Sequence, residues 1–231
     1  MNALAIITAR GGSKRIPRKN IKKFLDKPII SFSIQAALDC NLFEEVMVST
    51  DDVEIAEIAK SLGAKVPFYR SEKTANDFAT TSDVLCEVLE CYKKQSRIFE
   101  WICCIYPTAP FVTTENLLEC WKLVKNSGAN ALTPVAKFSY PPQRSFNINN
   151  GEYLKYNWPE NMNKRSQDLE PFYHDVGQFY FLKVDEFLKT KSLLLEKTIP
   201  YIVSETEMQD IDNEEDWQLA EIKYKYLHAN K

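Results

Sequence analysis

The chain has no apolar run near the roughly 20 residues that a membrane-spanning helix needs, and no run of Lys or Arg long enough for a polybasic anchor. Its formal charge of −3 argues against a protein that coats nucleic acid, so any anionic ligand must be held by a local cluster of cations. The start, Met1-Asn-Ala-Leu-Ala-Ile-Ile, lacks the basic leader, apolar middle and cleavage site of a secretion signal and enters an apolar strand directly, which predicts a cytoplasmic protein. Six cysteines are present, but none forms a Cys-x-x-Cys pair, so zinc and redox sites are not indicated and buried free thiols are expected. Histidine is limited to His174, read as a hydrogen-bonding or exposed residue in preference to a catalytic one, and His228, which has no functional case. Internal repeats, low-complexity tracts and linkers are missing too.

What is present is an alternation of short β-branched runs and longer stretches of helical period. Strands are predicted at Ala3 to Thr8, Val46 to Ser49, Trp101 to Ile105, Ala131 to Val135, Gln178 to Leu182 and Ile199 to Val203. Helices are predicted at Ile29 to Cys40, Val53 to Leu62, Asp83 to Tyr92, Glu115 to Lys125 and Glu214 to Tyr226. Such alternation implies an α/β fold with a mainly parallel, doubly wound sheet. With 231 residues and 45% hydrophobic content, one domain with an elaboration is expected. The elaboration falls at about 136–176, where Pro141-Pro142, the turn-like Asn149-Asn150-Gly151 and several aromatics predict an inserted hairpin arm.

Ligands of open α/β sheets bind beyond the carboxyl ends of the strands, which directs attention to the residues after Thr8, Ser49, Ile105 and Val135. Immediately after the first strand, Gly11-Gly12-Ser13 is flanked by Arg10, Lys14, Arg15 and Lys19. Paired glycines let backbone N–H groups turn toward an anion, and the cations neutralise it. The spacing is neither that of a P-loop nor that of a dinucleotide fingerprint. A solvated basic turn is the alternative.

Other segments carry two readings each. Asp51 or Asp52 can cap the helix from Val53. Ala79 to Ser82 offers an ordered loop able to present main-chain groups to a base, or a capping run for the next helix. Asp210-Ile211-Asp212 places two carboxylates on one face of an extended backbone, suited to Mg²⁺. Asp212 with Glu215 alternatively forms a helix capping box.

The segment Ala9-Arg-Gly-Gly-Ser-Lys-Arg-Ile-Pro-Arg-Lys-Asn-Ile resembles the opening motif of the CMP-sialic acid synthetases, and the likeness extends from Leu4 to about Ala220. It implies a Rossmann-like sheet of the nucleotide-diphospho-sugar transferase type and an enzyme that uses CTP with Mg²⁺. Carried over residue by residue, it gives Arg10 and Lys14 the phosphate charge and catalytic role, with Gly11, Gly12, Ser13 and Asn20 around the nucleotide. The stretch from Arg70 to Asp83 is similar to the family's cytosine-recognition loop, giving Arg70, Ala79 and Thr81 to the base. Tyr106-Pro-Thr-Ala-Pro110 resembles Gln-Pro-Thr-Ser-Pro, with Tyr106 standing where the family has a Gln that meets the sugar. Arg144, Arg165, Gln167, Asp168, Gln178 and Tyr180 fall in segments like those lining the acidic-sugar pocket. A planar Arg165 guanidinium is matched to a carboxylate. Asp210 and Asp212 match the family's metal-binding Asp-x-Asp.

The resemblance implies that the anomeric hydroxyl of a nine-carbon acidic sugar attacks the α-phosphorus of CTP in line, releasing pyrophosphate, through positioning and charge neutralisation and without a protein nucleophile. It also implies a homodimer joined through the 136–176 arm. Small molecules are the expected partners, with neither nucleic acid nor membrane. Tyr106, Tyr140-Pro-Pro-Gln-Arg144, Trp158-Pro-Glu-Asn161 and His174-Asp-Val-Gly-Gln-Phe-Tyr resemble one branch of the family. A silent nucleotide-binding protein is the expectation of a different class.

Overall fold

The computed structural model describes residues 2–149 and 151–229. Strand β1 (Ala3–Thr8) leads through a small hairpin, β2 (Lys23–Phe24) and β3 (Lys27–Pro28), to α1 (Ile30–Asp39). Then come β4 (Glu45–Ser49), α2 (Val53–Ser61), the short α3 (Glu72–Ala75), α4 (Thr81–Lys94), β5 (Trp101–Ile105), α5 (Thr114–Ser127) and β6 (Ala131–Lys137). The excursion contains β7 (Phe146–Asn149), β8 (Tyr153–Tyr156) and β9 (Tyr173–Asp175). The chain closes with β10 (Phe179–Lys183), α6 (Val184–Thr190), β11 (Thr198–Ile202) and α7 (Glu214–His228).

Six strands run in the order β11-β6-β10-β5-β1-β4, and β9 adds to the end of β6 as the seventh. The pairs β1–β4, β1–β5 and β6–β11 are parallel. The sheet is therefore mainly parallel, as expected, with one departure: β10 lies antiparallel between β5 and β6. The alternation of side chains along each strand splits the core into two layers. Ala3, Ala5, Ile7, Val46, Val48, Cys103 and Ile105 pack under α1, α2 and α5, while Leu4, Ile6, Met47, Ile102 and Cys104 pack under α4 and α6. Strands buried on both faces need near-continuous apolar sequence, which Ala-Leu-Ala-Ile-Ile and Trp-Ile-Cys-Cys-Ile provide. All six cysteines are free thiols, and Cys40, Cys103, Cys104 and Cys120 are buried.

Among the described residues one carboxylate is buried. The Glu45 carboxylate accepts from the Tyr92 hydroxyl and pairs with Arg97 at 2.7 Å and Lys65 at 3.3 Å. Burial pushes its carboxyl up, but those three partners together outweigh burial and hold it below the usual range. A depressed carboxyl contributes stability above its unfolded value of about 4.3 and loses it as pH falls through the lower folded value. Thermal melting followed by circular dichroism is expected to show a midpoint that drops as pH falls below about 4. Glu45→Gln is expected to flatten that limb and cost about 2–3 kcal/mol at neutral pH, because the charge-assisted hydrogen bonds go with the charge. An unchanged acid limb in the variant would assign the pH dependence elsewhere.

The excursion is an arm whose base is ordered by the sheet. Val135, Ala136 and Lys137 pair with Asp175, His174 and Tyr173, and the Phe138 N–H donates to the Phe172 carbonyl at 3.0 Å. The predicted hairpin is present as β7 paired with β8. Asn150 of the predicted turn lies outside the described residues, and Gly151 takes φ +76°. Tyr140, Ile148, Tyr153 and Leu154 are exposed along the arm.

Candidate active site

The strand order reverses at β1, with β4 on one side of it and β5 on the other, which opens a crevice at their carboxyl ends. A cavity of about 440 Å³ lies there. Its wall includes Arg10, Ser13, Lys14, Arg15, Lys19 and Asn20 from the loop after β1. Arg70, Asp77, Ala79, Thr80 and Thr81 come from the approach to α4, and Tyr106, Pro107 and Thr108 from the loop after β5.

The cations of the loop are already paired. Arg10 lies 2.8 Å from Asp77 and donates to the Asn76 carbonyl at 3.2 Å, and Lys14 pairs with the other Asp77 oxygen. Lys14 and then Arg10 hold the Asp77 carboxyl below its usual range. The buried Asn20 donates its side-chain amide to the Arg10 carbonyl at 2.8 Å, bracing the loop from behind. Gly11 and Gly12 are not in the cavity wall. The Gly11 N–H is spent on Asp51 Oδ1 at 2.9 Å, and the Ser13 N–H donates to the Gly11 carbonyl. The two acidic residues therefore divide the work: Asp51 holds the loop, whereas Asp52 caps α2 through the Ile55 N–H and takes Arg18.

Arg70 is buried, and donates to the Ser49 hydroxyl at 3.2 Å and the Ser49 carbonyl at 2.8 Å. Burial lowers the pKa of its guanidinium. Two of its five N–H donors are used in this way, which leaves others for a ligand. The capping reading holds, with Thr80 closing a box with Asp83 at the start of α4, and Ala79, Thr80 and Thr81 also line the cavity.

Tyr106 forms the opposite wall, its hydroxyl 3.2 Å from Thr81 Oγ1. Burial raises its pKa. Tyr180 lies behind it, edge to face at 5.6 Å, and Gln178 donates its side-chain amide to the Glu207 carbonyl at 2.7 Å. Both are buried and neither lines the cavity.

Asp210 and Asp212 flank the buried Ile211, which packs with Trp217 and Phe24. Arg15 reaches Asp212 at 2.7 Å, and Lys19 donates to the Ile211 carbonyl at 2.6 Å, so two cavity residues clasp the acidic pair. The cap of α7 is Asn213 with Asp216, one residue later than the Asp212 and Glu215 alternative, which leaves Asp212 outside the capping box. Asp210 keeps an exposed surface, but crowding by protein atoms and then the charge of Asp212 push its carboxyl up. Among the described residues no group of three or more His, Cys, Asp or Glu forms a ready metal cage. Two carboxylates without a cage match the donor set of Mg²⁺, which keeps waters and takes phosphate oxygens.

Four predicted residues lie apart from the cavity. Arg165 makes a two-pronged pair with Asp168, Arg144 reaches the Ser166 hydroxyl at 3.3 Å, and Gln167 shares their segment of the arm. Arg144 and Ser166 instead line a second hollow of about 330 Å³ with Tyr140, Pro142, Phe146 and Tyr156. His174 stacks near Phe138 and bonds a backbone carbonyl, which fits a structural role. The residue that sequence reasoning gave no role of its own is Asp77; an acid within a Thr- and Ser-rich capping segment carries no signal that it will reach back to Arg10, 67 positions earlier.

Residues 4–224 match the profile described as "Cytidylyltransferase". The chain is 38% identical over 230 residues to a pseudaminic acid cytidylyltransferase of Campylobacter jejuni, covering 100% of this chain and 99% of that protein. It is 34% identical to the CMP-N,N'-diacetyllegionaminic acid synthase of Legionella pneumophila, covering 96% and 95%. A solved CMP:2-keto-3-deoxy-manno-octonic acid synthetase complexed with CTP superposes with a TM-score of 0.68 at 18% identity, over 99% of this chain and 100% of the other, a likeness of fold.

Proposed function

The chain belongs to the cytidylyltransferase family, and from that premise we propose that it converts CTP and pseudaminic acid into CMP-pseudaminic acid and pyrophosphate. The observation that carries this reading is one cavity with a cationic loop on one wall and a Tyr106 phenol on the other, at the reversal point of the sheet. Full-length similarity to pseudaminate enzymes supports the choice of sugar, as does Tyr106 in place of the family's Gln.

Arg10 and Lys14 exchange Asp77 for the triphosphate, and in doing so neutralise the charge that builds as pyrophosphate departs. Arg70 and the main chain of 79–81 orient the base, and the Tyr106 wall holds the acceptor sugar with its anomeric hydroxyl in line with the α-phosphorus. A divalent ion at Asp210 and Asp212 would add charge neutralisation on the phosphates. We further propose one catalytic domain with an arm that joins two subunits, so that Arg144, Arg165, Gln167 and Asp168 serve the partner's sugar pocket. Light scattering is expected to give twice the monomer mass, and a monomer would remove that role. Among the described residues no helix is long and apolar enough to cross a membrane. We also propose that the enzyme is cytoplasmic and that its product serves surface glycosylation.

Pyrophosphate release from CTP and Mg²⁺ with pseudaminic, legionaminic and N-acetylneuraminic acids in parallel tests the reading. Release with pseudaminate in preference to the others is expected, and Tyr106→Gln is expected to shift the preference. A preference for another acid would overturn the sugar assignment; no release with any would leave a nucleotide-binding protein.

A further inference from the structure

The segment that delivers Asp210 and Asp212 lies between β11 and α7, and side chains from other elements hold its main chain. Lys223 of α7 donates to the Glu205 carbonyl at 3.0 Å, to the Met208 carbonyl at 2.9 Å and to the Gln209 side-chain oxygen at 3.0 Å. The same Gln209 side chain donates from its nitrogen to the Asp210 carbonyl at 3.1 Å. Gln178, buried just before β10, takes the Glu207 carbonyl between these contacts. Beyond Asp210, Lys19 takes the Ile211 carbonyl, and the Asp212 N–H donates to Asp216 Oδ2 at 2.9 Å.

An ammonium has three N–H donors and no acceptor, and Lys223 commits all three to this one segment. Gln209 is bonded at both ends of its amide, so it cannot turn without breaking one contact or the other. We infer that Lys223 is a positioning residue: through the Gln209 amide it fixes the main chain at Asp210 and thereby sets the affinity of the acidic pair for a divalent cation. The inference rests on the metal role proposed for Asp210 and Asp212. Two carboxylates are few ligands for an ion that demands near-octahedral geometry, so affinity depends on how little they must be ordered when it binds. Charge and positioning predict opposite signs. A lysine close to a cation site repels the ion, so its charge alone would weaken metal binding, whereas a brace strengthens it.

Lys223→Met keeps the length of the side chain and removes its donors. Titration of the protein with Mn²⁺ alone, followed by electron paramagnetic resonance of the free ion, is expected to show a Kd raised about 10-fold in this variant. Gln209→Met gives a smaller rise, and the double variant is no worse than Lys223→Met, since both changes interrupt one path. The Mg²⁺ concentration for half-maximal pyrophosphate release rises in parallel, while kcat at saturating Mg²⁺ stays within about twofold of wild type. Lys225→Met, exposed on the same helix, leaves both constants unchanged. Unchanged or tighter Mn²⁺ binding in Lys223→Met, whatever its melting temperature, would overturn the inference and leave Lys223 a structural residue. If Lys223→Met does not fold, Gln209→Met decides by the same criterion. A wild-type protein that binds no Mn²⁺, or binds it equally well as Asp210→Asn, would overturn the metal role of the acidic pair and this inference with it.

Discussion

Asp210→Asn is expected to lower CTP-dependent pyrophosphate release by at least about 100-fold while leaving the fold intact. The side chain sits on a segment fixed from two directions. Ile211 is buried against Trp217, and Lys19 and Arg15 hold the carbonyl and carboxylate beside it. Loss of one negative oxygen therefore cannot be compensated by a shift of the segment, and the divalent cation proposed there would lose a charged ligand. The stability effect should have the opposite sign. A carboxyl whose folded pKa is raised is disfavoured in its ionised form by folding, so at neutral pH it opposes stability, and an uncharged isostere removes that opposition. Melting in the presence of a chelator is expected to place Asp210→Asn at or above the wild type. Activity within tenfold of wild type would remove the acidic pair from the reaction.

The paired glycines are expected to respond unequally to a single methyl group. At Gly11 a β-carbon would lie 2.8 Å from Asp52 Oδ2 and 3.0 Å from its Cβ, whereas at Gly12 nothing lies within 4 Å. Asp52 cannot yield, because it caps α2 through Ile55 and is gripped by Arg18. In Gly11→Ala the loop must therefore move, carrying Arg10 and Lys14 off the cavity wall. A displacement near 1 Å is enough to cost about 100-fold in kcat/KM. Gly12→Ala should remain close to wild type. Equal losses at both positions would mean that the amides of both glycines, and not the seating of the loop, meet the phosphates.

This inequality marks a boundary of what the sequence discloses. The strands Ala3–Thr8 and Trp101–Ile105 were readable to the residue because a strand buried on both faces requires an unbroken apolar run. Asp210-Ile211-Asp212 was readable as a two-carboxylate face because alternation follows from an extended backbone. The antiparallel course of β10 was not readable, since Phe-Tyr-Phe-Leu has the same composition whichever way it runs between its neighbours. Nor were α6, only seven residues long, and the two-residue strands β2 and β3, which are too short for any period to emerge. At the site, the cations of the loop were legible by type. Their common carboxylate, Asp77, was not, because the contact spans 67 positions and depends on how the turn before α4 folds back.

The reversed strand also determines how the arm is mounted. Parallel neighbours would have required the chain to travel the length of the sheet before re-entering it, but β10 begins at the edge where β5 ends, Phe179 opposite Ile105. The excursion thus leaves the carboxyl edge after β6 and comes back to the same edge, with Lys137 and Tyr173 locked side by side as its two feet. Insertions or deletions between those feet lengthen or shorten the projection without altering the register of any strand of the parallel core. The last residues before re-entry, Asp175 to Gln178, remain at the catalytic rim whatever the span of the rest. The scaffold therefore separates two evolutionary variables, the reach of the projection and the chemistry at its root.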